Sequence, residues 1–311
     1  MINEKKISVV FFGTHNFAAT ILEGLLNSPF ISVDLVITQP DKPSGRKKEL
    51  QKSKVKLLAE KYNLKIEQPE TLKNSKFQIP NSKFQLGIVA QYGLIIPEQI
   101  INTPKFGTLN GHTSLLPKYR GASPIQSAII NSEITTGITI MKMDKNLDTG
   151  PILLQKEIKI GENDTYQTLE AKMASIGLSA LLEAIPLYIS GQIQPIPQDN
   201  SQATACKQLS RENGKIDWNK TTQEIYNLYR GLYPWPGVWT MFGDKRIKLI
   251  SLKPSDNPST SLRASKLGAI TIENDKLYIG CKNGSIEILE LQPEGKKVMT
   301  AREFFNGHKL T

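Results

Sequence analysis

The sequence is poor in the residue patterns that would assign it to the commonest functional classes. It has two cysteines, Cys206 and Cys281, far apart and in no CxxC or Cys/His arrangement, so neither a disulfide framework nor a zinc site is indicated and no metal is called for. The first strand-like run ends in Gly13-Thr14-His15-Asn16-Phe17 and not in GxGxxG. No GxxxxGK[ST] occurs either, so dinucleotide and P-loop readings lose their main support. The apolar run Ile7 to Phe12 is shorter than a signal h-region and lacks a small-residue cleavage site. No apolar segment approaches the ~20 residues that span a bilayer. The chain therefore reads as cytoplasmic, with no membrane contact. Internal repetition is limited to "NSKFQ" at Asn74 to Gln78 and again at Asn81 to Gln85, and two copies cannot build a solenoid.

What the chain does have is length and positive charge. Its 311 residues suit two domains, and 39% hydrophobic content allows each a core. Net charge is +10, unevenly spread: residues 207–311 carry 17 Lys and Arg against 11 Asp and Glu. A second concentration places Lys42, Arg46, Lys47, Lys48, Lys52, Lys54 and Lys56 around one acid, Glu49. Positive charge in two separate regions suits an extended polyanion such as nucleic acid. A solvated lysine-rich surface accounts for the charge equally well.

Strand-like runs at Lys6 to Gly13, Ile31 to Thr38, Leu86 to Ala90 and Thr108 to His112 alternate with helical patterns such as Ser53 to Tyr62. This rhythm predicts an α/β, doubly wound, mostly parallel sheet. A helical pattern over Thr165 to Tyr188 precedes a Pro/Gln/Ser-rich stretch that marks a linker. Beyond it, a helix over Thr221 to Leu232 and five short strand-like runs predict a small antiparallel β-barrel, OB-like in kind. The expected boundaries are 1–190 for the first domain, 191–206 for the linker and 207–311 for the second domain.

The run "LNGHTSLLPKYRGASPIQ" holds the most chemistry. Asn110 and His112, two apart at the carboxyl end of a parallel strand, project to one face at the edge where such sheets bind ligands. A carboxamide can donate to an oxyanion without changing charge, and an imidazole can move a proton near neutral pH. Acyl transfer needs that pair, and a carboxylate to orient the imidazole would complete it. "DKNLDTGPIL" offers Asp144 and Asp148, of which Asp148 precedes a Thr-Gly turn. Taken singly, each residue also has a structural reading: a hydrogen-bonding histidine, a turn asparagine, an Asx-turn acid. Trp235 and Trp239 in "YPWPGVWT" read as packing residues rather than a stacking platform.

"NGHTSLLPKYRGASPIQSAI" together with "TTGITIMKMDKNLDTGPIL" resembles the formyltransferases that use 10-formyltetrahydrofolate. "FFGTHNFAA", "TQPDKPSGRKKEL", "QYGLIIP", "KIDW", "YPWPG" and "LQPEGKKVM" narrow the resemblance to members that act on methionyl-tRNA, over nearly the whole chain. The resemblance implies a Rossmann-like formyltransferase fold followed by a tRNA-binding domain, with catalytic roles for Asn110, His112 and Asp148. It further implies folate contacts at Ser114, Leu115, Leu116 and Pro117, and tRNA contacts at Arg46, Lys47 and Lys48. The partners it implies are initiator methionyl-tRNA and a folate formyl donor, acting with a monomeric enzyme. Whether His112, Asp148 or a water carries the proton stays open. The alternatives are a formyltransferase for a nucleotide- or sugar-linked amine, and a tRNA-binding protein that has lost turnover. Departures from the family pattern are His15 and Asn16, where a proline and an acid are usual, and Thr113 in place of a glycine.

Overall fold

The computed structural model describes residues 6–44, 49–73, 78–79, 83–255 and 267–307, and they fall into two compact units. The first opens with β1 (Ile7–Gly13), buried from Val9 onward. Consecutive apolar positions suit a strand covered on both faces. α1 (Asn16–Leu26) follows, burying Phe17, Ala18, Ile21, Leu22 and Leu25 at helical spacing. Next come β2 (Ile31–Ile37) and an antiparallel arm, β3 (Lys42–Ser44) and β4 (Glu49–Gln51). Ser53 caps α2 (Lys54–Lys61) by accepting the Lys56 N–H at 3.0 Å. The chain continues through β5 (Ile66–Glu67), β6 (Leu86–Ala90), α3 (Glu98–Ile101), β7 (Thr108–His112) and β8 (Arg120–Gly121). It goes on through α4 (Pro124–Ile130), β9 (Thr135–Lys142), β10 (Ile152–Lys159), α5 (Tyr166–Ile189) and β11 (Ala205–Cys206).

The central sheet has the order β10-β9-β7-β6-β1-β2-β5. The five strands from β7 to β5 run parallel, while β9 is antiparallel to β7 and β10 to β9. Strand order reverses between β1 and β6, so the ligand crevice of such a sheet lies beyond the carboxyl ends of its central strands. β7 ends there, with Asn110 and His112.

Two sequence expectations are corrected. α5, at 24 residues, is long and apolar enough to cross a membrane by length and composition, where no such segment was expected. It carries Glu170, Lys172 and Glu183 and buries Met173, Ala174, Ala180, Leu181, Ala184 and Ile185, the pattern of a core helix. Trp239 does pack, buried and donating its indole N–H to the Arg211 carbonyl at 2.8 Å, but Trp235 is 56% exposed.

The second unit comprises Lys207–Thr311 together with Ile125–Ile134 and Ile160–Leu169. Its helix α6 (Thr222–Leu232) begins at a capping box in which Thr221 and Glu224 satisfy each other's N–H groups. β12 (Val238–Phe242), β13 (Lys245–Pro254), β14 (Ile270–Glu273), β15 (Lys276–Cys281), β16 (Gly284–Pro293) and β17 (Met299–Thr300) follow, then α7 (Ala301–Asn306). The strands form one antiparallel sheet in the order β12-β13-β16-β15-β14, with the short β17 added on β16. Ile225, Leu232, Leu249, Ile279, Ile288 and Phe304 fill its core. Arg230 ties α6 to the mid-chain segment: its Nη1 donates to the carbonyls of Gly161 and Asp164 at 3.2 and 2.7 Å. Asn227 likewise donates to Ser132 Oγ at 2.8 Å.

Candidate active site

β7 places Asn110 and His112 on the same face, and both reach one carboxylate oxygen. Asn110 Nδ2 lies 3.5 Å and His112 Nδ1 3.6 Å from Asp148 Oδ1. His112 and Asp148 are buried, whereas Asn110 is half-buried and open to a ligand. The other Asp148 oxygen accepts the Gly121 N–H at 2.8 Å, so the carboxylate is held from both sides. His112 Nε2 sits 2.9 Å from the Tyr119 carbonyl. A carbonyl only accepts, so in this contact Nε2 carries a proton and Nδ1 is the nitrogen that faces the acid.

Of the two acids considered, Asp144 is engaged in its own turn: Thr149 Oγ1 donates to both its oxygens at 2.8 Å, and the Asn146 N–H to Oδ1 at 3.0 Å. Asp148 is the one that meets β7. It has φ +54°, a left-handed conformation that aspartate tolerates better than most residues. Gly150 behind it is obligatory, because a Cβ there would stand 1.9 Å from the Lys142 carbonyl.

The Ser114 to Pro117 turn follows β7 directly. Ser114 is fully buried and donates to the Lys118 carbonyl at 2.6 Å. Leu116 is buried, while Leu115 and Pro117 are half-exposed. Thr139 and Gln155 bind the turn's backbone: Gln155 Nε2 donates to the Leu116 carbonyl at 2.9 Å, and Thr139 Oγ1 accepts the Leu116 N–H at 3.0 Å. A ligand there meets a rigid turn and two half-exposed apolar side chains. Thr113, the departure from the family glycine, is buried.

Arg46, Lys47 and Lys48 lie outside the described residues; the flanking strands β3 and β4 and the residues at their root are described. Gln39 donates to the Tyr92 carbonyl at 2.7 Å and accepts from Lys42 Nζ at 2.6 Å. Asp41 pairs with Lys56 at 2.6 Å and accepts from Gln68 at 2.9 Å. Those hydrogen bonds, from Lys56 first and Gln68 second, hold the Asp41 carboxyl below its ordinary value. Tyr92 itself is buried, and burial pushes its hydroxyl up to about 12.

Several contributors were not singled out in the sequence: the Tyr119 carbonyl, the Gly121 N–H and Arg120, which lie within the run that carries the resemblance, and Gln198, which lies in no motif. Gly121 alone leaves a signal, a glycine between arginine and alanine. Its φ is +121°, and a Cβ would fall 2.2 Å from the Cys206 carbonyl.

Residues 5–185 match the family described as formyl transferase, and residues 208–309 match its C-terminal domain. The methionyl-tRNA formyltransferase of Thermodesulfovibrio yellowstonii is 42% identical over 304 residues, covering 97% of this chain and 96% of that protein. Its counterpart in Staphylococcus aureus is 39% identical over 310 residues, 97% of each. Among solved structures, an N-formyltransferase of Helicobacter canadensis in complex with folinic acid and dTDP-3-aminofucose superposes with a TM-score of 0.65 at 21% identity. That match covers 91% of this chain and 98% of the other, and is a likeness of fold.

Proposed function

The chain belongs to the formyl transferase family, and from that premise we propose that it carries a formyl group from 10-formyltetrahydrofolate to the amino group of methionyl-tRNA. The observation that carries the reading is identity of 42% over 97% of the chain with a methionyl-tRNA formyltransferase, which spans both units.

The amine nitrogen attacks the formyl carbon, and the formyl oxygen takes up negative charge. Asn110 Nδ2, half-exposed beside Asp148, is the donor for that oxygen. The bond from carbon to the folate nitrogen then breaks, and the proton lost by the amine goes to that nitrogen. Nδ1 of His112, facing Asp148 Oδ1 at 3.6 Å, is the group placed to relay it. The Asp148 carboxylate beside that nitrogen stabilises positive charge that develops there in the transition state. The Ser114 to Pro117 turn supplies one wall for the folate. Arg46, Lys47, Lys48 and the basic 207–311 segment supply phosphate contacts to the tRNA.

The test is a formylation assay with methionyl-tRNA and 10-formyltetrahydrofolate, with a free amino sugar and glycinamide ribonucleotide as competing acceptors. Preferred formylation of either small amine would overturn the acceptor assignment.

A further inference from the structure

One side chain joins the two backbone shoulders of the site. Gln198 Nε2 donates to the Asp148 carbonyl at 2.9 Å and to the Gly150 carbonyl at 2.7 Å. Its Oε1 accepts from Arg120 Nε and Nη2 at 3.0 and 2.7 Å, and Arg120 Nη2 also donates to Asn200 Oδ1 at 2.9 Å. This amide fits only one way round. Carbonyls only accept and a guanidinium only donates, so the nitrogen must face the 148–150 turn and the oxygen must face Arg120.

Both ends of the bridge are attached to groups that define the site. Arg120 lies between Tyr119, whose carbonyl contacts His112 Nε2, and Gly121, whose N–H holds Asp148 Oδ2. At the other end Asp148 adopts φ +54°, a left-handed conformation that the surrounding contacts must hold. Gln198 holds the carbonyls of Asp148 and Gly150, the residues flanking Thr149, and so fixes the turn in which Asp148 sits. The Arg120 shoulder is in turn anchored from the same stretch of chain. The Tyr119 N–H donates to Thr204 Oγ1 at 2.8 Å and the Arg120 N–H to the Thr204 carbonyl at 2.9 Å, and β11 pairs in parallel with β8.

We propose that Gln198, backed by Arg120, is a positioning residue that sets the separation of Asp148 from His112 and Asn110 for formyl transfer. The segment before residue 207 thereby becomes part of the catalytic apparatus. The inference rests on the formyl-transfer reading of the site. A displacement of about 1 Å in such a constellation lowers turnover by up to ~100-fold without touching substrate.

The experiment uses the full-length protein and its Gln198→Met, Gln198→Glu, Arg120→Met and Arg120→Met/Gln198→Met variants, with circular dichroism melts to measure the folded fraction at the assay temperature. Steady-state formylation is measured on methionyl-tRNA, the amino sugar and glycinamide ribonucleotide, and variant ratios are read on whichever acceptor the wild type uses. Wild-type preference for another amine overturns the acceptor assignment alone. Absence of wild-type turnover on every acceptor overturns both. Gln198→Met is expected to lower kcat by about 10- to 100-fold with KM for both substrates within about threefold. Gln198→Glu is the discriminating variant: its carboxylate still pairs with Arg120 but cannot donate to two carbonyls, so it should be as impaired as Gln198→Met. The double variant should lose no more than Gln198→Met, because the two residues act as one unit. Wild-type kcat in Gln198→Glu, a loss confined to KM, or kcat losses that merely follow loss of folded protein would each overturn the proposal.

Discussion

The corner formed by Asn110, His112 and Asp148 and the arm formed by β3 and β4 both stood out in the sequence, and they are built on opposite plans. At the corner, buried groups are tied down: His112 is held through Nε2, Asp148 through its carboxylate and its carbonyl, and backbone N–H and C=O groups do much of the holding. Among the described residues of the arm, Lys42, Pro43, Glu49, Leu50 and Gln51 are exposed, Leu50 at 71%, and Gln39, Asp41 and Lys56 make contacts at its root. The difference suits the two roles proposed above. Charge that develops at one atom rewards donors fixed to within a fraction of an ångström, whereas contact with a polyanion depends on the number of cations presented.

The sharpest way to break that comparison is to remove the groups at the corner. His112→Ala should lower kcat by about 10²–10⁴-fold, and Asn110→Ala by about 10²–10³-fold, with little change in tRNA affinity. Parallel losses in turnover and in filter-binding affinity would show that the corner is structural. Asp148→Asn should come next, at roughly tenfold or more. If its amide oxygen keeps the Gly121 N–H, its nitrogen must face the Asn110 donor, and the negative charge beside His112 Nδ1 is lost. Circular dichroism should report a folded protein, and near-normal turnover would remove Asp148 from the mechanism.

The arm should respond on a smaller scale and in a different variable. Arg46→Lys keeps the charge but loses the guanidinium fork, so it should weaken formylation by about 1–3 kcal/mol in kcat/KM. Replacing Lys47 or Lys48 by Ala should chiefly reduce the salt slope of tRNA binding. Unchanged kinetics in Arg46→Lys would leave this lysine-rich run as ordinary surface. Smallest of all, Lys56→Met should loosen the root of the arm by about 1 kcal/mol or less, read as faster proteolysis at the arm with turnover at saturating tRNA unchanged. The pH dependence follows from Asp41, whose folded pKa is depressed from 3.8. Its contribution is fully present above 3.8 and is lost as pH falls through the lower, folded value, so the wild-type root should loosen only in strong acid.

Much of this was legible in the sequence because it is local. Strand-like runs gave β1, β2, β6 and β7 within a residue or so, and Ser53 and Thr221 stood where N-caps belong. Asn110 and His112 shared a face by strand period alone. The arm's strand pairing carried no signal, since Pro43 and a polar composition disfavour a strand, yet Lys42 pairs with Gln51. Gln198 could not be found at all. It meets Arg120 across 78 residues, and no spacing rule links an amide in a polar stretch to an arginine in a turn. Trp235 misled because apolar aromatics usually pack, whereas here neighbouring Pro234 is exposed too.

The composition of the second unit has a consequence for how the chain is made. Ile125–Ile134 and Ile160–Leu169 belong with residues 207–311, and Asp164 waits 66 residues for the Arg230 guanidinium that binds its carbonyl. At ~5–20 residues per second of synthesis that is about 3–13 s during which two mid-chain segments have emerged without their partners. Nascent chains stalled before α6 should expose Ile125–Ile134 and Ile160–Leu169 to a chaperone or a protease, and chains stalled after α7 should protect them.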